Sequence, residues 1–467
     1  MAKADHWQVA VVGGGPGGYV AGIRSAQLGL KTVVVESQHL GGICLNWGCI
    51  PTKALLKNAE VYEHVRHGEF WGIQTKGLSL DFGRVVARSR EVAGQLSKGA
   101  AFLLKKYKSD TIDGYARLTA PGTLEVTLPD GTKRTITADH IILATGARPR
   151  QLPFAKCDGK KILTSKEAMT LENVPKSLLV VGAGAIGMEF AYLYQAFGSE
   201  VTVVEMQDRI LPVEDEEISK ELARIYQKKG MKILLGSSLE KLVTTKKGVS
   251  ALVKTSKGEQ TVDAEVCLVA IGVQGNVEDV GLDSVGVEVD RGHIAVDKKT
   301  YQTNVKGIYA IGDVIGPPWL AHVASHEGIV CVERIAGHDH PPVDYGHIPG
   351  CTYCQPQVAS VGLTEQAAKE QGIAIKIGKF PFRANGKSLA IGETDGFVKV
   401  IYDAKYGGLL GAHIIGSGAT EMIAEFGLGL TVESTYQEVL DTIHAHPTLS
   451  EASADATGVA WGRSVAF

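Results

Sequence analysis

One pattern, met twice, restricts this chain more than anything else in it. Val9-Ala10-Val11-Val12 is a fully apolar strand that runs into Gly13-Gly14-Gly15-Pro16-Gly17-Gly18. A helix over 21–28 follows, then Gly29 as its stop, a second strand Thr32-Val33-Val34-Val35, and Glu36 at the strand end, eighteen residues after Gly18. Each part has a mechanical reason. Gly13 permits the tight turn, Gly15 lets a diphosphate approach the backbone, and Gly18 lets helix pack on strand. The diphosphate meets the helix N-terminus, and Glu36 accepts from a ribose hydroxyl. The unit returns 169 residues later: Ser177-Leu178-Leu179-Val180-Val181, then Gly182-Ala183-Gly184-Ala185-Ile186-Gly187, a helix, Gly198, and Val201-Thr202-Val203-Val204-Glu205. A glycine turn in some other βα unit explains one such hexapeptide, but not strand, helix, strand and terminal acid together, twice. The expectation is an α/β chain with two Rossmann-like dinucleotide-binding domains. Two such sites in one protein are most economically a flavoprotein that exchanges electrons with a nicotinamide. Glu205 at the ribose position favours NAD over NADP, because a 2′-phosphate would face a carboxylate; Arg209, four residues on, leaves the phosphorylated form open.

The whole 467-residue chain fits about three domains. Its 44% hydrophobic and 21% charged content is ordinary for a globular protein, and a net charge of −3 gives no basic field for nucleic acid or an anionic membrane. No apolar run approaches the roughly 20 residues of a membrane helix, and the stretch from Met1 to Trp7 has neither an apolar signal core nor an Arg-rich transit pattern. Residues 60–108 read as long amphipathic helices, clearest from Ser89 to Lys106. A β meander follows with turns at Pro121-Gly122 and Pro129-Asp130-Gly131, ending in Ile141-Ile142-Leu143-Ala144 and Thr145-Gly146. Val269-Ala270-Ile271-Gly272 is the matching Gly-ended strand of the second half. Gly307 to Val314 is a short apolar strand ending in Asp313, which reads either as a helix N-cap or as a ligand for ribityl or ribose hydroxyls. From about Asp344 the chain changes to alternating strands and two helices with no nucleotide fingerprint.

Two constellations carry reactive side chains. In Gly41-Gly42-Ile43-Cys44-Leu45-Asn46-Trp47-Gly48-Cys49-Ile50-Pro51-Thr52-Lys53 the cysteines stand five apart, a spacing that lets the thiols meet across about one helical turn. A helix beginning near Pro51, and Lys53, should depress the pKa of at least one thiol. Read by themselves, the two are either a redox pair or buried structural cysteines. Seven cysteines at irregular spacing are unlike a secreted disulfide framework, which places the chain in the cell interior, where such a disulfide would be catalytic. The second constellation is His444-Ala445-His446-Pro447-Thr448-Leu449-Ser450-Glu451, where Glu451 is in reach of the His446 imidazole and would leave its other nitrogen a better base. A structural histidine or a two-histidine metal site are the plainer alternatives, and no third metal ligand is evident. Cys351-Thr352-Tyr353-Cys354 reads as structural, as a second redox pair or as half a zinc site; Cys157, Cys267 and Cys331 read as core.

With these motifs assembled, the chain resembles the pyridine nucleotide–disulfide oxidoreductases almost end to end, on 13–36, 42–53, Ala144-Thr145-Gly146, 182–205, Ala310-Ile311-Gly312-Asp313, Leu320-Ala321-His322 and 446–451. The resemblance implies an FAD-binding domain over 1–149, an NAD-binding domain over 150–275, a central segment over 276–343 completing the FAD domain, and a C-terminal α+β dimerisation domain over 344–467. It implies a homodimer in which each active site uses both chains. Cys44 would exchange with substrate, Cys49 would be the thiolate against the flavin, and His446 of the partner, oriented by Glu451, would be the acid/base. Lys53 and Glu189 would be the ion pair near the flavin. FAD would take Gly13, Gly15, Gly18, Glu36, Lys53, Gly114, Thr145, Gly146, Asp313 and Ala321. NAD would take Gly182, Gly184, Gly187, Glu189, Glu205 and Gly272, with a backbone contact near Leu239; no metal is implied.

The implied chemistry starts when His446 takes a proton from a dihydrolipoyl thiol, whose thiolate attacks Cys44; the second substrate thiol resolves the mixed disulfide, and the electron pair leaves through Cys49 and FAD to NAD⁺. Its partners would be lipoyl-bearing proteins or subunits of 2-oxo-acid dehydrogenase or glycine cleavage complexes, in the cytoplasm. Other members fit less well. Glutathione reductase prefers NADPH, mercuric reductase and large thioredoxin reductases need a C-terminal cysteine or redox pair that Ser464-Val465-Ala466-Phe467 lacks, and a peroxide- or O₂-reducing oxidase uses one cysteine rather than two. Another NAD(P)H-dependent disulfide reductase, a non-catalytic scaffold subunit or an NAD sensor are the remaining readings; the last two leave His446 and Glu451 idle. Trp47 has no role in any of them beyond narrowing one flavin face.

Overall fold

The computed structural model describes residues 5–466; the readings made on Met1–Ala4 and Phe467 lie outside them. The chain divides into two compact units, residues 1–55, 83–150 and 272–343 in the first, and 56–82, 151–271 and 344–467 in the second.

The first unit is built on a mixed seven-stranded sheet. Its order is Asp110–Asp113, Thr32–Glu36, Asp5–Val12, Lys133–Leu143, Thr123–Thr127, Tyr115–Ala120, with Ile308–Ala310 beside Lys133–Leu143. The strand Asp5–Val12 lies parallel to both neighbours, with Val9 opposite Thr32 and Val12 opposite Leu143. Val9, Ala10 and Val11 have no solvent exposure, which is why this strand is an unbroken apolar run rather than an alternating one. The meander closes antiparallel onto the first half of Lys133–Leu143, while its second half pairs parallel with Ile308–Ala310. The helix after the first glycine loop runs Pro16–Gln27, five residues ahead of its expected start at Ala21: Pro16 occupies the first turn, where its missing N–H costs nothing, and the glycines are carried inside the helix because its face lies flush on neighbouring backbone.

The second unit holds three sheets. One is parallel, in the order Lys232–Leu234, Glu200–Val204, Ser177–Val181, Val266–Val269, Ile162–Leu163. A three-stranded antiparallel sheet, Ser238–Thr244, Val249–Thr255 and Gly258–Ala264, follows it. The third is antiparallel, in the order Gly350–Thr352, Gln357–Gly362, Leu409–Gly416, Phe397–Asp403, Ile375–Pro381. Ala419–Thr431 and Glu451–Ala460 cover it through Ile423, Phe426, Ala452 and Ala456. Beyond Asp344 the described residues form five α-helices rather than the expected two; Glu365–Glu370, Gly386–Ala390 and Tyr436–Asp441 are too short to show a helical period in the sequence. No helix among the described residues is long and apolar enough to cross a membrane.

Candidate active site

The two glycine loops adopt one backbone twice. Gly13 and Gly182 have φ of 105° and 100°, and Gly15 and Gly184 cap their helices at φ, ψ of −66°, −177° and −71°, −177° with no side-chain cap bond. A Cβ on Gly13 would stand 2.2 Å from the Ala144 carbonyl oxygen, and one on Gly182 would stand 2.4 Å from that of Ala270. On Gly18 and Gly187 it would meet the carbonyls of Gly13 and Gly182 at 1.9 and 2.0 Å. The strand-terminal acids repeat as well. Glu36 accepts from the Gly14 and Gln38 amides, both at 2.7 Å, and Glu205 from the Ala183 and Gln207 amides at 2.6 and 2.8 Å. Each carboxylate is thereby fixed at the rim of its glycine loop with lone pairs left for a hydroxyl. Amides at an uncapped helix start beside a fixed carboxylate fit a diphosphate and a ribose, so both loops suit a dinucleotide.

Around the first loop the unit gathers Gly114, whose N–H donates to the Glu36 carbonyl at 2.9 Å, and Thr145 and Gly146. Asn276, which the sequence reading missed, pins that turn. Its amide N–H donates to the Gly146 carbonyl at 2.9 Å, its Nδ2 to the Thr145 carbonyl at 2.9 Å, and its own carbonyl accepts from Thr145 Oγ1 at 2.8 Å. Asp313 sits in the 3₁₀ turn Gly312–Ile315 and caps no helix; Leu320 is the N-cap of Ala321–Ile335, whose first residue is Ala321. Burial and the neighbouring Glu327, itself 2% exposed and accepting from the Gly312 amide at 2.6 Å, push the Asp313 carboxyl up to about 6. A half-buried carboxyl held there suits a ligand hydroxyl better than it suits an empty turn.

Cys44 and Cys49 lie in the same unit, against the first loop: a Cβ on Gly42 would be 2.8 Å from the Gly15 Cα, and the Gly41 N–H donates to the Gly14 carbonyl at 2.7 Å. One helix does not carry both cysteines. Gly42–Trp47 ends at Gly48, with φ, ψ of −142°, −113°, and Cys49 opens a new helix, Cys49–Arg66, with Pro51 and Lys53 in its first turns. A Cβ on Gly48 would stand 3.1 Å from the Ile43 carbonyl oxygen, so the break is tight enough to favour glycine. The two thiols share a hydrogen bond, both partly buried. That bond, then burial, then the charge on Cys49 push the Cys44 thiol far up, against the pull of Lys53. Cys44 is therefore not a thiol of lowered pKa, because one sulfur's charge holds the other's proton.

The second unit contains the acid/base candidates. His446 Nδ1 and Glu451 Oε1 are 2.8 Å apart, and Glu451 Oε2 accepts from the Thr448 amide at 2.8 Å. Glu451 is the first residue of helix Glu451–Ala460, where the dipole also favours its charge; the Thr448 amide, then the His446 bond, hold it below the usual carboxylate range. With Nδ1–H donating to that carboxylate, Nε2 carries the lone pair. The His446 side chain is 78% exposed, unlike His444, which is 8% exposed and held by Glu425 at 2.7 Å and the Thr442 carbonyl at 3.0 Å. No group of three or more His, Cys, Asp or Glu among the described residues is placed to hold a metal. Glu189, 4% exposed on helix Ala185–Ala196, accepts from the Tyr353 amide at 2.9 Å. Leu239 lies in the three-stranded sheet, and Gly272, at φ 96°, belongs to the first unit. Cys354 is buried and its thiol donates to the Pro356 carbonyl at 3.4 Å; Cys267 and Cys331 are buried as expected, whereas Cys157 is only partly so.

The sequence matches the family of pyridine nucleotide-disulphide oxidoreductases over residues 7–328 and the dimerisation domain of the same family over residues 348–457. It is 50% identical to the dihydrolipoyl dehydrogenase of Zymomonas mobilis over 466 residues, covering 99% of this chain and all of that one. It is 46% identical to that of Bacillus subtilis over 474 residues, covering 99% of this chain and 100% of the other. Among solved structures it is similar to LpdA from Mycobacterium tuberculosis, with a TM-score of 0.90 at 27% identity over 97% of this chain and 99% of that one. The HOCl-induced flavoprotein disulfide reductase RclA from Escherichia coli matches with a TM-score of 0.86 at 26% identity, over the same shares. A doubled dinucleotide fold, a thiol pair laid against the first glycine loop, and relatives about half identical along nearly the whole chain lead to one assignment: the chain belongs to the pyridine nucleotide-disulphide oxidoreductases.

Proposed function

We propose that the chain is a dihydrolipoyl dehydrogenase that oxidises protein-bound dihydrolipoyl groups with NAD⁺, working in the cytoplasm as a homodimer beside lipoyl-bearing subunits of a 2-oxo-acid dehydrogenase or glycine cleavage complex. The observation that carries this reading is the Cys44–Cys49 hydrogen-bonded pair in the segment packed against the first glycine loop, in a chain half identical to an enzyme of that name over 99% of its length. The match to a dimerisation domain over 348–457 supports the homodimer. The domain reading is FAD-binding over 1–149 and 276–343, NAD-binding over 150–275 and interface over 344–467.

FAD, when bound, supplies a two-electron carrier between the thiols and the nicotinamide. The chain's own residues do the rest. The amides and Glu36 at the first loop, with Gly114, Thr145, Gly146, Asp313 and Ala321, hold the flavin nucleotide; Gly182, Gly184, Gly187, Glu205, Gly272 and the backbone near Leu239 hold the nicotinamide nucleotide. Lys53 and Glu189 form the charged pair expected at the flavin. His446 Nε2 takes the proton of the incoming dihydrolipoyl thiol while the Glu451 carboxylate balances the imidazolium. The resulting thiolate attacks Cys44, the Cys44–Cys49 bond breaks, and Cys49 leaves as the thiolate; the second dihydrolipoyl thiol then attacks the substrate sulfur of the mixed disulfide and releases Cys44, and its proton passes to the Cys44 sulfur. Holding that proton on Cys44 keeps the single charge on Cys49.

A side-by-side assay of NAD⁺ with dihydrolipoamide and of NADPH with glutathione disulfide tests the substrate. Turnover is expected with the first pair, and turnover only with the second would overturn the proposal.

A further inference from the structure

Trp47 stands between the two thiol-bearing residues, at the last position of helix Gly42–Trp47. The guanidinium carbon of Arg90, on helix Phe82–Lys106, lies 4.8 Å from its ring centroid. The same guanidinium donates from Nη1 to the Asn46 carbonyl at 2.6 Å. Asn46 Nδ2 donates in turn to the carbonyls of Leu40 and Gly42 at 3.0 and 2.9 Å. Two turns farther along the long helix, Ser97 Oγ also donates to the Leu40 carbonyl, at 2.7 Å, and two residues before Arg90, Arg88 Nη1 donates to the Ala54 carbonyl at 3.2 Å. One helix thus takes hold of backbone carbonyls before, inside and after the cysteine segment.

We propose that the Arg90–Trp47 pair is a clamp that keeps the Cys44–Cys49 segment closed and so sets the equilibrium between its disulfide and dithiol forms, Arg90 and Trp47 being positioning residues. The proposal rests on reading Cys44 and Cys49 as the redox pair. The disulfide ties the segment by its own covalent bond, so the clamp matters most in the dithiol. There it limits the conformers the segment can take and keeps one sulfur at a high effective concentration beside the other. A planar guanidinium can cover an indole and donate in its own plane at once; an ammonium cannot do both.

The test equilibrates the flavin-loaded protein with glutathione buffers. In the exchange, the Cys44 thiol, the Cys49 thiolate, one glutathione disulfide and one proton from the buffer give the Cys44–Cys49 disulfide and two glutathione thiols: one S–S bond breaks, one forms, and both protons end on glutathione sulfur. After acid quench and alkylation, the peptide carrying both cysteines is quantified by mass spectrometry for wild type, Arg90→Gln, Arg90→Lys, Trp47→Val and the double variant Arg90→Gln/Trp47→Val, with thermal melting in parallel. Each single variant is expected to disfavour the disulfide roughly fivefold to tenfold, the larger value being about 30 mV for two electrons. The double variant should fall within about twofold of the worse single, since both remove one contact, and Arg90→Lys should recover only part of the shift. A Trp47→Val equilibrium within twofold of wild type overturns the clamp, even if its melting temperature falls. So does an Arg90→Gln shift toward the disulfide, the direction expected if Arg90 acted only as a charge favouring thiolate. A wild-type peptide that never forms the disulfide in any buffer overturns the redox reading itself, and the clamp with it.

Discussion

Glu451→Gln is the perturbation that separates proton handling from everything else in this site. Glu451 uses both carboxylate oxygens, one on His446 Nδ1 and one on the Thr448 amide, each at 2.8 Å. A glutamine offers one acceptor oxygen and one NH₂, so it cannot satisfy two N–H donors; one of them faces another donor. Losing a hydrogen bond to a charged group costs about 1.5–3 kcal/mol. The His446 side chain is 78% exposed and Glu451 26%, so solvent screening brings that down to about 1–2 kcal/mol, or roughly a 5- to 30-fold slower proton transfer. The same arithmetic sets this site apart from a buried triad, where the corresponding change costs about 10⁴-fold. The assay is steady-state oxidation of dihydrolipoamide by NAD⁺, paired with stopped-flow reduction of the bound flavin by NADH, a step that needs no imidazole. Turnover with dihydrolipoamide should fall by that factor while NADH reduction of the flavin stays unchanged. Because Glu451 is held below the usual carboxylate range, chiefly by the Thr448 amide and then by His446, its carboxylate stays charged at neutral and mildly acidic pH, and the wild-type advantage over Glu451→Gln should persist there and shrink only where that carboxylate takes up a proton. Equal losses in both assays, or no loss while His446→Gln abolishes turnover, would refute the orienting role.

The Asp313 carboxyl is raised to about 6, so its charged form destabilises the ligand-free fold: stability is greatest below the ordinary carboxylate pKa and falls as pH rises through about 4 to 6. Asp313→Asn should therefore stabilise flavin-free protein at pH 7 by about 2–3 kcal/mol and weaken FAD retention, measured by melting and by flavin release. Gly13→Ala and Gly182→Ala each place a Cβ within 2.4 Å of a carbonyl oxygen at positive φ. The first should cost flavin content, and the second should raise KM for NAD⁺ with flavin retained; identical phenotypes would undo the two-site reading. Lys399, 0% exposed, meets Asp215 at 2.9 Å, Glu217 at 2.9 Å and Glu365 at 2.6 Å. Lys399→Met leaves a buried Asp215 without its cation and should cost about 3–5 kcal/mol in chemical denaturation. Burial pushes Asp215 up but the Lys399 ammonium outweighs it, and Glu365 is held low by Lys369 and Lys399, so the wild-type advantage is present at neutral pH and is lost on acidification through those low values.

What the sequence made legible was whatever repeats or sits close along the chain. The doubled fingerprint fixed the parallel strand pairs at the centre of both nucleotide sheets, because strand, turn and helix propensities all agree within thirty residues, and the His446–Glu451 bond spans five positions. Pairings across long separations stayed hidden. Lys399 looks like an outward residue of the strand Phe397–Asp403, and nothing local announces a carboxylate 184 residues away. Asn276 and Glu327 are read as plain polar residues until the turns at Gly146 and Gly312 come to them. Trp47 had no account in the sequence because its partner is on another helix, 43 positions away.

The cysteine pair shows the same division at the level of chemistry. Lys53 and the start of helix Cys49–Arg66 were legible, and each favours negative charge beside the thiols. Reading each thiol by itself, both features argue for a reactive thiolate at either position. The fold places the sulfurs within one hydrogen bond, and two such groups cannot both take up the charge that the surroundings favour. The features that ease the first ionisation therefore help fix the second proton in place: proximity dictates that one proton stays on the pair, and the surroundings dictate which sulfur holds it. Because the attacking species in thiol–disulfide exchange is the thiolate, a Cys44 that holds the pair's proton attacks a disulfide only once a base takes that proton, so the break at Gly48 that brings the sulfurs together also ties the pair's reactivity to that base.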